Sequence, residues 1–477
     1  MTLREVAKVM LSSGSGRVGA IFLVALVLVS LFVLVRFPLD FGSKRWNNPT
    51  QWADNPKAAA PAWTRLWAGD SAVKHTVFQA EQPSSVSPLG TLEQRLYTFS
   101  YDYDGGRVPT FLTFALSDVR FASRPPVLAL SVRRPNGAIV TLLQTVVRGP
   151  REGETVPYLR YQDSPLRVNL TNDANAVAAL RDFLGLQYGV TVSVDDLQGK
   201  VVEALFGTPV QGSPGQFQPL PGRYEFTLSA TIGSSADVIG SDKLVLGGSV
   251  YGVMGTDALG RDLALGLLFG FPVALAIGLA TSLVATAIGA TLGIVSGYMA
   301  GKTDLAIQRF SDIWSNVPTL PILIFLIFIL GQKLWLVVVI MILFGWPGLT
   351  IVVRSMVLQI RSGQLVEATQ ALGASKTRIM FRHLLFQIAP FIFAQMIFFT
   401  PGAILAEAGL SFLGLGDPSI PTWGQILESG FRTGAVYVGY WWWVLPPGLL
   451  IVATAMTFVL LTLGLEPVVN PRLRGNR

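Results

Sequence analysis

The apolar residues of this chain are gathered into runs long enough to cross a bilayer, and nothing else in the sequence limits its fold so strongly. Residues 18–35 form a near-continuous apolar run, and others follow at 271–295, 318–330, 334–353, 388–413 and 444–465. A helix of about 20 apolar residues matches a hydrocarbon core of about 30 Å. From residue 36 to about 250 the composition is instead that of an ordinary soluble domain. The expected architecture is one spanning helix, a large polar domain, then five more helices. Only 14% of the chain is charged and 51% is hydrophobic, against about a quarter charged in soluble proteins. The run at 318–330 is the short one, rising about 20 Å at 1.5 Å per residue; it either borrows residues 315–317 or belongs to a re-entrant bend. The first run exceeds a signal-peptide core, and residues 37–40 offer no small-x-small cleavage site, so it reads as a retained anchor.

Charge sets the orientation. Arg4, Lys8 and Arg17 precede the first helix, and Lys302, Arg309, Arg354, Arg361, Lys376, Arg378 and Arg382 fall in loops on the same side, as do Arg472, Arg474 and Arg477 at the end. The opposite loops carry few basic residues beyond Lys333 and Arg432. By the positive-inside rule both termini are cytosolic and residues 38–250 extracytoplasmic. The net charge of +7 is spread over these loops and makes no aromatic-interleaved stripe, so nucleic acid is not an expected partner. The chain has no cysteine, hence no disulfide or thiolate metal site, and its two histidines, His75 and His383, are too far apart for a metal site or an acid/base pair.

Within the polar domain, turn residues separate short runs rich in β-branched and aromatic side chains at 95–103, 109–116, 127–132, 138–147, 223–232 and 243–251. Asp104-Gly105-Gly106 and Pro135-Asn136-Gly137 carry hairpin signals. A β-rich sandwich or barrel-like domain follows, with a helical insertion at 172–185. Trp441, Trp442 and Trp443 are expected in the headgroup layer at the outer start of the last helix, and Pro446 and Pro447 are tolerated in its opening turns.

The most informative segment lies on the cytosolic side between two spans, within a loop at about 356–387. It reads Glu367-Ala368-Thr369-Gln370-Ala371-Leu372-Gly373-Ala374-Ser375-Lys376-Thr377-Arg378-Ile379-Met380-Phe381-Arg382-His383. Small residues at 368, 371 and 374 let another backbone approach, Gly373 permits a sharp turn, and a basic stretch follows. A plain solvated connector needs none of these together; the segment looks built to dock.

This segment resembles the EAA loop of ABC importer permeases, whose coupling helix inserts into a cleft on an ATPase subunit. Glu367, Ala368 and Gly373 match core positions of that motif, with Thr369, Leu372, Ala374, Arg378 and His383 around them; Thr369 stands where alanine is usual and Phe386 where proline is usual. Three further stretches resemble the second permease subunit of the dipeptide/oligopeptide/nickel group. The first is Gly255-Thr256-Asp257 with Gly260, Arg261 and Asp262 before the second helix. The second is Ser296-Gly297-Tyr298 with Asp304, Arg309 and Asp312. The third holds Glu407, Ser411, Phe412, Gly414 and Gly416, with Trp423 and Gly424, and reads equally as a glycine-rich helix end or as an outer gate. The resemblance covers about 252–477 and implies a type I importer permease fold of six transmembrane helices (residues 1–37, then 251–477), with 38–250 an insertion larger than the family's usual segment.

The resemblance also implies partners: a homologous second permease subunit, two ATPase subunits that bind ATP and Mg, an extracytoplasmic solute-binding protein, and membrane lipids. No catalytic residue, metal or cofactor is expected in this chain. Gly301-Lys302-Thr303 resembles the end of a phosphate-binding loop, but Ser296 stands where that pattern requires glycine. Peptides are the expected cargo, with oligosaccharides or nickel as alternatives. The rival class is an ion-coupled secondary carrier; Glu407 is its one intramembrane carboxylate, and the internal repeats and charged midplane sites it would need are not found.

Overall fold

The computed structural model describes residues 3–38, 40–69, 72–213 and 215–469. The chain divides into two compact units, one from the segments up to Gln51 and from Leu263 onward, the other Trp52–Asp262. The second begins at residue 52 rather than 38 and ends at 262 rather than 250. Main-chain bonds explain the shift: Ala58 N donates to Asp257 O at 2.7 Å, and Tyr251 N to Ala60 O at 2.7 Å, tying the entering and leaving segments together.

The Trp52–Asp262 unit is an antiparallel sandwich. Its strands are β1 Thr76–Ala80, β2 Ser85–Leu89, β3 Leu92–Tyr103, β4 Leu112–Phe121, β5 Val127–Arg133, β6 Ile139–Val146, β7 Tyr158–Arg160, β8 Leu166–Asn169, β9 Gly207–Pro209, β10 Phe217–Pro219, β11 Gly222–Ile232 and β12 Val238–Leu246. One sheet runs β2-β3-β11-β5-β6, the other β1-β12-β4-β7 with β8 also on β4. Strand β11 shows why: Tyr224, Phe226, Leu228, Ala230 and Ile232 are buried while the residues between them are half-exposed, the period of two that puts one face on a core. Phe114, Leu128, Phe206 and Leu244 join them in a single cluster drawn from both sheets.

Of the two turn signals, Pro135-Asn136-Gly137 does close a hairpin, β5 to β6, with Gly137 at φ +82. Asp104-Gly105-Gly106 does not: the end of β3 pairs with β11, Gly222 opposite Tyr103, and not with β4. It carries the chain across to the other sheet. The helical insertion runs Ala174–Tyr188, capped by the Asp173 carboxylate on Asn175 N and Ala176 N and ended by Gly189 at φ +68.

The membrane unit holds α1 Gly14–Arg36, α2 Leu263–Met299, α3 Gly301–Ser315, α4 Thr319–Leu330, α5 Leu334–Arg361, α6 Gln364–Ala371, α7 Lys376–Phe412, α8 Trp423–Arg432 and α9 Trp441–Val469. Among the described residues five helices are long and apolar enough to cross a membrane, or six if the bent pair α3–α4 counts as one span. The run at 318–330 is thus one limb of a pair bent by 73°, broken where Pro318 takes an extended conformation and disfavours helix in the residue before it.

Helix contacts are made by what is missing. On α2, Gly289, Gly293 and Gly297 recur every four residues on one face; a Cβ there would lie 2.8 Å from Trp346 O, 2.7 Å from Val353 Cβ and 2.8 Å from Arg354 O of α5. Small residues at this spacing let helix backbones approach in lipid. Thr400 on α7 donates to Ser282 Oγ on α2 at 3.0 Å, and Thr350 to Gly289 O at 3.2 Å. The tryptophan triplet departs from expectation: Trp441 is 39% exposed, but Trp442 and Trp443 are buried, and Trp443 Nε1 donates to Ser429 Oγ at 3.2 Å. Trp443 packs against Gly430 of α8, which takes its ring away from the surface. Arg472, Arg474 and Arg477 lie outside the described residues.

Candidate functional site

The segment singled out by its small residues is a helix–turn–helix riveted on one side and open on the other. Val366 is the one buried side chain of α6, and it packs with Ile379, Met380 and Leu384 of α7, Tyr298 of α2 and Val357 of α5. Gln370 Nε2 donates to the Tyr298 hydroxyl at 3.2 Å. Facing outward are Glu367, Ala368, Ala371, Gly373 and Arg378, with Leu372 86% exposed. Thr369 and Ala374 are half-buried, the Thr369 hydroxyl donating to Leu365 O at 2.7 Å.

Gly373 has φ +77 with nothing within 4 Å of a Cβ position, so the backbone conformation alone selects glycine. Ser375 then caps the next helix by accepting from Arg378 N at 3.3 Å. His383 is half-buried in the π-helical stretch Ile379–Leu384 that continues into α7. Phe386 is exposed inside that uninterrupted helix, as Pro390 is also within it. The chain changes direction at Gly373, not at position 386.

Behind the segment lies a polar lock. Arg354 on α5 grips Asp304 on α3 with Nε at 2.5 Å and a second nitrogen at 2.6 Å. Ser296 at the end of α2 donates to the same carboxylate at 2.5 Å and accepts from Gln308 at 3.0 Å. A two-pronged, charge-assisted grip of this kind fixes geometry as well as energy, whereas the exposed Arg309–Asp312 pair at 3.9 Å adds little. Sequence reasoning marked Ser296, Tyr298 and Asp304 but missed their partners Arg354 and Gln370; a pairing across fifty residues leaves no local signal. Gly301, Lys302 and Thr303 open α3, joined to α2 by Ala300 alone, which leaves no loop to cradle a phosphate.

At the other end of α7, whose 37 residues rise about 55 Å, the second cluster comes together. Glu407 is buried and accepts from Ser411 Oγ at 2.7 Å. A Cβ on Gly424 would lie 2.6 Å from Ala408 O and 2.8 Å from Ser411 Cβ, so α8 rests directly on α7, and Gly416 meets Ser411 and Gln425. Trp423 donates to Leu267 O at 2.9 Å and meets Phe271 edge-on at 5.1 Å. Phe412 is partly exposed against Phe431, and Gly414, at φ +79, accepts from Gln332 at 2.6 Å.

The third set is a knot within the Trp52–Asp262 unit. Thr256 is fully buried, donating to Pro56 O at 2.6 Å and accepting from Ala59 N at 2.9 Å. The Asp257 carboxylate takes Leu259 N and Arg261 N, each at 2.9 Å, and pairs with Arg261 Nε at 2.5 Å. Asp257 therefore ties a turn. Gly255 and Gly260 have positive φ, and Gly260 O accepts from Asn55 at 2.9 Å. Asp262 ends the knot in an isolated bridge with Thr256.

Residues 289–475 match the family of binding-protein-dependent transport system inner membrane components. The dipeptide transport system permease protein DppC of Bacillus subtilis is 34% identical over 221 residues, 46% of this chain and 68% of that protein. The oligopeptide permease OppC of the same organism is 32% identical over 259 residues, 54% of this chain and 81% of that one. The chain belongs to this family. It is a permease subunit of an ABC importer, a multi-pass membrane protein that carries no catalysis itself. Among solved structures, an inward-facing methionine ABC transporter, MetNI, is similar to the permease at 20% identity over 43% of this chain and 95% of that one, with a TM-score of 0.35, a likeness too low to add to the argument. The family match of this permease lies wholly in the membrane unit.

Proposed function

We propose that this permease moves peptides, as its relatives' names say of them, and that α6 with Gly373 is the element through which ATPase subunits drive it. In this reading the chain pairs with a homologous permease subunit to line the path, two ATPase subunits bind ATP and Mg and seat on Glu367–Arg378, and a separate binding protein delivers the solute. The bent pair α3–α4 serves as one crossing among six, both termini are cytosolic, and Trp52–Asp262 is extracytoplasmic. Glu407, Ser411, Gly416, Trp423 and Gly424 form the outer gate.

The observation that carries this is the two-sidedness of the loop. Its inner face is locked through Val366 and Gln370 to three different helices, so a push on exposed Leu372 and Glu367 is delivered to α2, α5 and α7 together. Gly373→Pro and Glu367→Lys, in the reconstituted importer, are expected to leave assembly intact and to cut transport-stimulated ATP hydrolysis. Loss of a coupling energy of about 1–3 kcal/mol corresponds to about a 5- to 150-fold fall. Normal stimulation in both variants overturns the reading.

A further inference from the structure

Residues 57–69 of the sandwich unit read Lys-Ala-Ala-Ala-Pro-Ala-Trp-Thr-Arg-Leu-Trp-Ala-Gly, two cations and no anion around large apolar side chains. A soluble surface tolerates single exposed apolar residues but seldom a cluster of them. Here Leu66 is 83% and Trp67 74% exposed, in one helical turn, Arg65–Ala68. Trp63 meets Trp67 edge-on at 5.3 Å, and its indole N–H donates to Val253 O at 2.8 Å, with the Val253 side chain 67% exposed. Lys57 and Arg65 are exposed as well and form no ion pair among the described residues.

Two features say what covers this patch. The first is its chemistry: indole rings with flanking cations favour the headgroup layer, where a ring is half-wet and a cation meets lipid phosphate. The second is covalent. Val253 stands ten residues before Leu263, the first residue of a spanning helix, and ten extended residues reach at most roughly 35 Å. The indole of Trp63 is bonded to that same Val253, so the patch is tethered close to a membrane crossing.

We propose that Trp63, Leu66, Trp67 and Val253 form a membrane-surface anchor by which the sandwich unit seats on the bilayer, with Lys57 and Arg65 facing anionic headgroups. The inference rests on α1 and α2 being membrane spans, not on the peptide cargo or the coupling loop. Seating there leaves the rest of the unit free to face water.

Because the chain has no cysteine, one spin label can be placed at Leu66→Cys and, as a control, at Leu186→Cys, which is 91% exposed. The importer is reconstituted in vesicles of phosphatidylethanolamine and phosphatidylglycerol. The ratio of oxygen to nickel-chelate collision rates is expected to be several-fold higher at 66 than at 186. Equal ratios, meaning water at both sites, overturn the proposal; so does protection of site 66 from both probes, which marks a covering protein. The unsubstituted chain supplies a second measurement: a lipid-soluble carbene reagent is expected to label peptide 57–69, and an unlabelled peptide overturns the anchor.

Discussion

The two units bury apolar surface by opposite rules. In Trp52–Asp262 the largest side chains point inward, Phe114, Phe206 and Phe226 being fully buried, and removal of their surface from water drives folding. In the membrane unit large side chains point outward, Phe328 being 88% exposed, and glycine occupies the contact between helices. Lipid is as apolar as leucine, so helices gain nothing by hiding leucine from it; close backbone contact and hydroxyl hydrogen bonds hold them instead. The same residue type therefore has opposite orientation in the two halves of one chain, and substitutions should obey opposite rules.

The largest effect is expected where the water rule holds. Phe226 packs on β11 between β3 and β5, and Phe226→Ala should cost the sandwich about 3–5 kcal/mol through lost burial and the cavity left behind. Pulse proteolysis of the detergent-solubilised chain, with cleavage scored within residues 52–262, reads this directly. Unchanged protection would mean that the cluster does not hold the unit together.

Next comes a buried acid of the sandwich, Asp242, whose carboxylate lacks the hydrogen bonds that Asp237 and Asp257 have. Asp242 on β12 is fully buried, and neither carboxylate oxygen has a hydrogen-bond partner among the described residues. Burial pushes its pKa up from 3.8 to about 7, while Tyr97 on β3 is raised by burial first and then by the Asp242 charge. Below about pH 4 the carboxyl is protonated in both folded and unfolded chains, and nothing is lost. Above that the unfolded chain ionises while the folded one keeps its proton, so stability falls as pH rises towards 7 and the cost is complete beyond it. At about 1.36 kcal/mol per pKa unit the loss is on the order of 4 kcal/mol. Asp242→Asn should remove this slope and stabilise the unit at pH 8 but not at pH 4, checked by unfolding midpoints across that range. A midpoint for the unsubstituted chain that rises between pH 4 and 7 by virtue of this residue contradicts the sign.

How much was legible followed the same division. Alternation such as Tyr224 to Ile232 revealed the sandwich strands, and apolar length revealed the spans, because both signals are local. Asp104-Gly105-Gly106 misled because a turn residue fixes a local bend but not which sheet receives the next strand. The short run at 318–330 left a bend as one of two readings, and Pro318 settles it locally, whereas the burial of Trp442 and Trp443 was illegible because it depends on neighbours distant in sequence. At the docking segment the hinge glycine could be read directly, while the lock behind it could not: Arg354 looks like any positive-inside arginine until Asp304 is placed beside it. The sandwich's strands could be read although its role could not, since the family model matches residues 289–475 and does not reach its strands.

The smallest expected effect tests the membrane rule most sharply. By hydropathy, Gly293→Leu makes α2 a better spanning helix and should be benign. By geometry it is not, since a Cβ there meets Val353 Cβ at 2.7 Å and Thr350 O at 2.8 Å. A β-carbon and a main-chain carbonyl cannot swing aside as a flexible side-chain end can, so α2 and α5 must part. Overpacking of this kind costs about 1–3 kcal/mol, and parting would also draw Arg354 on α5 from its grip on Asp304. The expected outcome is a lowered thermal midpoint in lipid nanodiscs, with Gly293→Ala intermediate because its methyl group meets the same two atoms without the isopropyl group that leucine carries beyond Cβ. If Gly293→Leu keeps the full midpoint, the glycine column is not what joins these helices, and the contrast between the two units loses its membrane half.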